Sequence, residues 1–408
     1  MRAGSKPIKT AVMLIMLVIM LVVPGAVGAQ ETTSGEQKTS KAAIPDPPPV
    51  DVEAWALVDA KSGRYLLGEN PDEQLPIGST TKIMSALVAL DDGDDLDEKV
   101  EVSKDAESYV GNVYSNVGLI AGERLTIRDL LAATLIPSGT DAVYALAERL
   151  GGGSVDYFVN KMNAKAASMG LENTHFETPA GLDTPDNYSS ARDLATIALA
   201  ALKYPVFDEI VDTKDAMIST QNRQIEIHNT NQLLTTYPKA TGVKTGTTPG
   251  AGANLVASAE DGDESYIAVV IGAPDSEARF RAAQSLLQYA FDRYDAQPLV
   301  KQGEVYDELP LPYRRGESEE LIAAEDVVAA VDPSSEVERQ TTTEEPPPAA
   351  EAGQELGEVQ VLVDGQSAGS SPLVAREGYE EASLWNKIWY SIQGAWYWVR
   401  DSVGGLFG

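Results

Sequence analysis

Three short clusters in this sequence carry side chains able to do chemistry together. The first is Ser79-Thr80-Thr81-Lys82. A Ser three residues before a Lys, at the start of a helix, puts both side chains on one face, so the amine can touch the hydroxyl. Serine is a weak nucleophile until a neighbour takes its proton, and a Lys does so only when desolvation or nearby positive charge lowers its pKa. The second cluster is Lys244-Thr245-Gly246, followed by Thr247, on a strand-like run. A Gly beside a strand lets a ligand or another backbone come close, and a Lys and a hydroxyl on that edge could bind a carboxylate. The third is Ser138-Gly139-Thr140, in a loop between two helical stretches. Each is ordinary alone: Ser79 could simply cap its helix, with Lys82 in solvent. Their combination is what points to covalent chemistry at Ser79.

Composition removes the main competitors. The chain of 408 residues has no Cys and two His, His175 and His228. Cysteine nucleophiles, disulfides and thiolate metal sites are therefore excluded, and a His-rich zinc centre has too few ligands. The residues imply no cofactor. Acidic residues number 62 against 31 basic, a formal net charge of −31, so nucleic acid is not an expected partner, since phosphate binding needs clustered Lys and Arg.

The elements that must position these clusters read as follows. A β-hairpin is expected from Ala54–Val58 and Tyr65–Leu67 around Lys61-Ser62-Gly63. Apolar residues at three- and four-residue spacing predict helices over Thr80–Leu90, Ile127–Leu135, Thr140–Leu150, Val155–Met169, Ala191–Leu202 and Glu277–Tyr294. Near residue 225 the text turns to strand. Thr241–Thr245, Asn254–Ala259 and Tyr266–Ile271 follow, with Asp261-Gly262-Asp263 as a turn. Strands at both ends with helices between them imply a mixed α/β fold: one antiparallel sheet built from distant parts of the chain, with a helical region inserted.

The expected organisation has five parts. Residues 1–29 read as an export signal, with Arg2, Lys6 and Lys9 before an apolar run and small residues Val27 and Ala29 before a cut. Residues 30–50 form a polar, Pro-ending linker. Residues 51–297 hold the three clusters. Residues 298–378 form a small β-rich domain with a loop at Glu344–Pro348, and residues 379–408 form an amphipathic helix. Four of the five Trp lie in that tail, between Trp385 and Trp398. Leu384, Ile388, Ile392, Ala395 and Val399 repeat at helical spacing beside Trp385, Trp389 and Trp396. Trp favours the membrane–water boundary, so the tail is expected to lie on a membrane surface, bound more by aromatic burial than by anionic lipid. The alternative is a helix packed on its own protein or a partner.

The order and surroundings of the three clusters resemble low-molecular-mass penicillin-binding proteins, the serine D-alanyl-D-alanine carboxypeptidases. The likeness includes Leu130–Glu148, Phe158–Leu182, Tyr188–Ala195, Gly242–Ala259, Glu358–Val363, Pro372–Glu377 and the aromatic tail, and runs from about residue 50 onward. The resemblance implies that Ser79 attacks the peptide carbonyl between two D-alanines of a peptidoglycan stem peptide. Lys82 would accept its proton, and Ser138 would relay a proton to the leaving D-alanine. Lys244 would support that relay, Thr245 would hold the terminal carboxylate, and Ser79 and Thr247 would supply the oxyanion-hole N–H groups beside Gly246. β-Lactams would acylate Ser79 as covalent inhibitors. The enzyme would act outside the cytoplasm, peripheral to the membrane.

Two departures stand out. The family usually has Asn where this chain has Thr140, which loses an amide donor and acceptor; an altered rate or drug affinity is expected. The family often has His where this chain has Ala180. An Arg in the last helix, Arg279, matches one found there in the family, or else is a surface ion pair. Two rival functions are a serine β-lactamase on the same fold and a catalytically weakened wall-binding scaffold. The first needs a carboxylate to activate the deacylating water, and Leu171-Glu172-Asn173-Thr174-His175 lacks the expected Glu-x-x-x-Asn arrangement.

Overall fold

The computed structural model describes residues 46–93, 95–109 and 114–393. The expected export signal, most of the linker, and Ala395, Trp396, Trp398 and Val399 of the tail lie outside the described residues.

Strands β1 (Ala54–Asp59) and β2 (Tyr65–Glu69) form the expected antiparallel hairpin. Much later in the chain come β3 (Asp215–Ser219), β4 (Gln224–His228), β5 (Ala240–Thr248), β6 (Gly252–Asp261) and β7 (Glu264–Ala273). The main sheet has the order β2-β1-β7-β6-β5, with antiparallel neighbours throughout. The first hairpin thus joins a sheet whose other strands lie some two hundred positions on, as the mixed α/β reading requires.

Side chains alternate across the pleat. On β7, Ile267, Val269 and Ile271 enter one core, while Tyr266, Ala268 and Val270 enter the other. The first core is covered by α1 (Lys82–Asp91), α2 (Ile127–Leu135), α3 (Thr140–Leu150), α4 (Val155–Ser168), α5 (Ala191–Leu202) and α6 (Pro205–Asp212). The second is covered mainly by α7 (Ser276–Arg293). Because both faces are buried, the strands read as near-continuous apolar runs rather than as alternating ones.

Two of the elements named above were not anticipated. Helix α6 starts at Pro205, which suits a first helical position, but its eight residues offer barely two turns of pattern. Strand β3 reads Asp-Ala-Met-Ile-Ser, with only Ile218 buried. Its pairing with β4 supplies what its composition does not.

The chain then becomes all β. Strands β8 (Asp295–Val300) and β11 (Val327–Val331) pair. A second five-stranded sheet combines β9 (Val305–Pro310), β10 (Ser318–Ala323), β12 (Val337–Thr343), β13 (Glu355–Val363) and β14 (Gln366–Ala375) in the order β9-β10-β14-β13-β12. It has its own core. Strand β8 starts at Asp295, inside the stretch assigned to the first domain, because α7 passes into it with no turn residue between. The two parts meet through buried polar contacts. Asp59 accepts from the Ala330 N–H at 2.9 Å, Arg64 donates to the Ala330 carbonyl, and Arg293 pairs with Asp332 at 2.8 Å.

Candidate active site

Ser79 sits in a single 3-10 turn, Gly78–Thr81, that runs straight into α1. The predicted helix start at Thr80 is therefore a tighter turn, closed by the Thr80 hydroxyl donating to the Ile77 carbonyl at 2.8 Å. Gly78 has φ +54°, which favours glycine. Strand β5 crosses this turn at backbone distance. A Cβ on Gly246 would stand 2.6 Å from the Ile77 carbonyl oxygen and 3.2 Å from the Ser79 nitrogen. Only glycine permits that approach, and it places the N–H groups of Ser79 and Thr247 on adjoining segments.

Lys82 follows one turn after Ser79. Its Nζ lies 2.9 Å from Ser79 Oγ and donates to the Ala180 carbonyl at 3.1 Å. Lys82 is 0% exposed, whereas Ser79 is half-buried. Burial pulls the Lys82 ammonium down from the ordinary lysine range to about 7, with the Asp141 carboxylate opposing the shift. Ala180 thus serves Lys82 through its backbone carbonyl, which does not depend on the side chain at that position. The Ser85 hydroxyl holds the same loop by donating to the Pro179 carbonyl at 2.7 Å.

Lys244 is 1% exposed and donates to the Thr245 carbonyl at 3.0 Å. Burial, then the positive charges of Lys82 and Arg279, push its pKa well below the ordinary value. Arg279 is buried rather than part of a surface ion pair. It reaches from α7 to donate to the Gly246 carbonyl at 3.1 Å and to Thr247 Oγ1 at 2.6 Å, and burial lowers its pKa to about 10. Three basic groups therefore share a desolvated region beside the edge strand β5. Arg279, the one of the three that stays protonated near neutral pH, gives that region a preference for an anion.

Ser138 lies between α2 and α3 with φ +67°, uncommon for a residue with a side chain and costly unless its surroundings enforce it. They do. The Gly139 N–H donates to Ala133 at 2.8 Å, the Thr140 N–H to Ser115 at 2.8 Å, and the Thr230 N–H to Ile136 at 3.2 Å. Asp141, fully buried, accepts from the N–H groups of Val117, Leu119 and Ala142. The segment before α2 and the Ser138 loop are thus one body.

Two contributors escaped the sequence reading. Thr230 shares a hydrogen bond with Thr245, Oγ1 to Oγ1 at 2.6 Å. A lone hydroxyl in Asn229-Thr230-Asn231 gave no signal. Asp141 follows the third cluster directly and starts a helix, so its position was visible but its role was not. Both His residues have structural partners: His175 Nδ1 lies 2.6 Å from the Asp186 carbonyl, and His228 pairs with Asp215 on the exposed β3–β4 hairpin.

Comparison with known proteins identifies relatives of this chain. The family described as D-alanyl-D-alanine carboxypeptidase matches residues 40–275. D-alanyl-D-alanine carboxypeptidase DacF of Bacillus subtilis is 33% identical over 343 residues, covering 82% of this chain and 87% of that protein. The solved structure of penicillin binding protein 5 from Haemophilus influenzae aligns at a TM-score of 0.69 and 31% identity, covering 82% of this chain and 99% of that one. The Streptomyces K15 DD-transpeptidase aligns at 0.58 and 37% identity, covering 60% of this chain and 99% of that one.

Proposed function

This chain belongs to the D-alanyl-D-alanine carboxypeptidase family, and from that premise we propose that it removes the terminal D-alanine from peptidoglycan stem pentapeptides through an acyl-enzyme on Ser79. The observation that carries the assignment is the 2.9 Å contact between Ser79 Oγ and a fully buried Lys82 whose pKa lies near 7. A neutral amine at that distance takes the hydroxyl proton as the Ser79 oxygen bonds to the carbonyl carbon. The Ser79 and Thr247 N–H groups receive the negative oxygen of the tetrahedral state. The peptide C–N bond then breaks, and the proton passes through Lys82 and Ser138 to the leaving nitrogen of D-alanine. Lys244, Thr245 and Gly246 line the carboxylate end, with Thr230 orienting the Thr245 hydroxyl. Water hydrolyses the ester, the proton returns to Ser79, and the shortened peptide leaves.

In this reading residues 51–297 do the chemistry, 298–378 carry them as a β spacer, and 379–408 rest on the membrane. Residues 1–29 direct export, which places the enzyme on the outer face of the cytoplasmic membrane where its substrate lies. Helix 384–393 supports the membrane assignment: Trp385 and Trp389 are 79% and 62% exposed, and Leu384, Ile388 and Ile392 flank them in solvent. Among the described residues no helix is long and apolar enough to cross a membrane.

The test is D-alanine release from a pentapeptide stem, with mass spectrometry of the penicillin-treated protein. One D-alanine per peptide and a stable adduct on Ser79 are expected. Repeated, fast nitrocefin turnover would instead identify a β-lactamase, and an unlabelled Ser79 would identify an inert scaffold.

A further inference from the structure

Segment 177–187 closes over the first turns of α1, and one buried side chain pinches its neck. His175 and Tyr188 exchange N–H to carbonyl bonds at 3.0 Å each, so the chain leaves and rejoins at one point. Asn187 lies just inside that neck and is 3% exposed. Its side-chain oxygen accepts from the Glu177 and Thr178 N–H groups at 3.2 and 3.4 Å, and its amide nitrogen donates to Thr81 Oγ1 at 3.2 Å. Thr81 is the residue before Lys82. The segment then covers α1 carbonyl by carbonyl: Ala180 accepts from Lys82 Nζ, and Pro179 accepts from the Ser85 hydroxyl. Gly181, at φ +75°, meets the turn that carries Ser79, where a Cβ would stand 1.9 Å from the Gly78 carbonyl oxygen. At the outer rim Asp183 accepts from the Thr248 hydroxyl and from the Gly250 N–H, the latter at 3.2 Å.

We propose that Asn187 is a positioning residue for acylation: its amide holds segment 177–187 down on α1 and so keeps water away from the Lys82 amine. This rests on Lys82 being the base, as proposed above, and extends it to what keeps that base dry. Asn187 acts through its hold on Thr81 and on the backbone of residues 177 and 178, not by a bond to Ser79 or Lys82. The two side-chain anchors of the segment differ in kind. Asp183 is exposed, so water can replace its bonds. Asn187 is buried, and its loss strands the Glu177 and Thr178 N–H groups and the Thr81 hydroxyl away from solvent. Those groups regain partners only if water enters or the segment lifts, and either change hydrates the amine beneath. Hydration favours the charged form, so the Lys82 pKa, which burial holds at about 7, rises. The charged groups that bear on Lys82 from neighbouring elements are Asp141 of α3 and Lys244 of β5, with Arg279 of α7 acting on Lys244 in turn. Within the segment, Glu177 accepts from the Asp186 N–H at 3.3 Å and Asp183 faces the β5–β6 turn. Removing a neutral amide alters none of these charges, so a changed Lys82 titration reports the access of water.

The test is the pH dependence of acylation by a fluorescent penicillin, measured on the full chain from about pH 5.5 to about pH 9.5. Asn187→Ala should move the midpoint of the acid limb up by about one pH unit, which is about a tenfold loss of rate near pH 6 and almost none near pH 9. Thr81→Val, which takes away the acceptor of the amide, should move the midpoint the same way by less. Thr81→Ser keeps the hydroxyl and should recover most of that shift. An unmoved midpoint in either Asn187→Ala or Thr81→Val would overturn the inference. So would a loss of rate equal at every pH, which would leave Asn187 a structural role alone. A wild-type profile with no acid limb would instead remove Lys82 as the base, a failure of the functional reading itself. One penicillin adduct per chain near pH 9, by mass spectrometry, shows that each variant is folded, and if Asn187→Ala does not reach it the Thr81 pair decides.

Discussion

The cleft buries two lysines that water would keep charged, while helix 384–393 leaves in solvent two tryptophans that a core would normally take. Lys82 and Lys244 are fully enclosed; Trp385 and Trp389 are mostly open. Both regions defy the ordinary sorting of residues, in opposite directions. Each exception costs free energy unless something compensates. In the cleft the cost is built into the fold: desolvation lowers the Lys82 pKa to about 7, the shift that the proposed base requires. At the tail the cost vanishes when a second phase covers the stripe. A misplaced residue inside a rigid frame thus points to chemistry, and one on a surface points to a missing partner.

The comparison breaks most sharply if the buried amine is not the base. Ser79→Ala should abolish both D-alanine release and the penicillin adduct, read by mass spectrometry. Lys82→Ala should lower the acylation rate by about 10³-fold, since general-base catalysis of that order is lost. The wild-type kcat/KM should rise with pH through about 7, because only neutral Lys82 accepts a proton and its pKa is depressed to that value. That acid limb should disappear in Lys82→Ala. A wild-type profile flat between pH 5.5 and 8.5 would show that another group takes the proton.

The Asp141→Asn variant sharpens the electrostatic half of the comparison. Asp141 is the carboxylate that opposes the fall in the Lys82 pKa, so its neutralisation should move the acid limb to lower pH. Its oxygens also accept three backbone N–H groups. An amide cannot satisfy all of them, and stability should drop by about 1–3 kcal/mol in a denaturant melt. A loss of stability with an unmoved pH profile would confine Asp141 to a structural role.

Much of this frame was legible because its signals are local. Ser79 and Lys82 lie one turn apart, and that spacing alone puts them on one face of a helix start. Helices α2, α3 and α5 follow their apolar periods to the residue. The hairpin of β1 and β2 carried its own turn. What escaped depends on contacts between distant segments. Thr230 meets Thr245 only because β5 folds back beside the Ser138 loop. Arg279 read as a match to the family's last-helix Arg or as a surface ion pair, and only the packing of α7 on the sheet shows it buried. The tail pattern showed that an apolar stripe exists but not which way it faces, since periodicity is blind to direction. Residue type and spacing therefore reveal pairs within one element, while the company that a side chain keeps across elements needs the fold.

Thr230→Val should have a smaller effect than any of these. The variant removes one neutral hydrogen bond to Thr245, worth about 1 kcal/mol, so KM for a D-alanine-terminated peptide should rise about fivefold with kcat within about twofold, and Thr230→Ser should restore it. A fall in kcat with unchanged KM would place Thr230 in the proton path instead.

The least kinetic change of all is expected from deleting residues 383–408. Among the described residues, helix 384–393 meets Tyr313 and Arg315 of the β module and Glu381 of its own leading segment, and none of these belongs to the Ser79 site. The buried basic groups are held instead by α1, β5, α7 and the Ala180 loop. Turnover of a short soluble peptide should therefore stay within about twofold of wild type while partition to vesicles is lost. If soluble turnover falls with the deletion, the two regions are coupled, and among the described residues the Asp59, Arg64 and Ala330 contacts and the Arg293–Asp332 pair offer a path. Arg293 closes α7, the helix that also presents Arg279 to Thr247, so a transmitted effect should appear first in acylation and be reproduced by Arg293→Ala in the full chain.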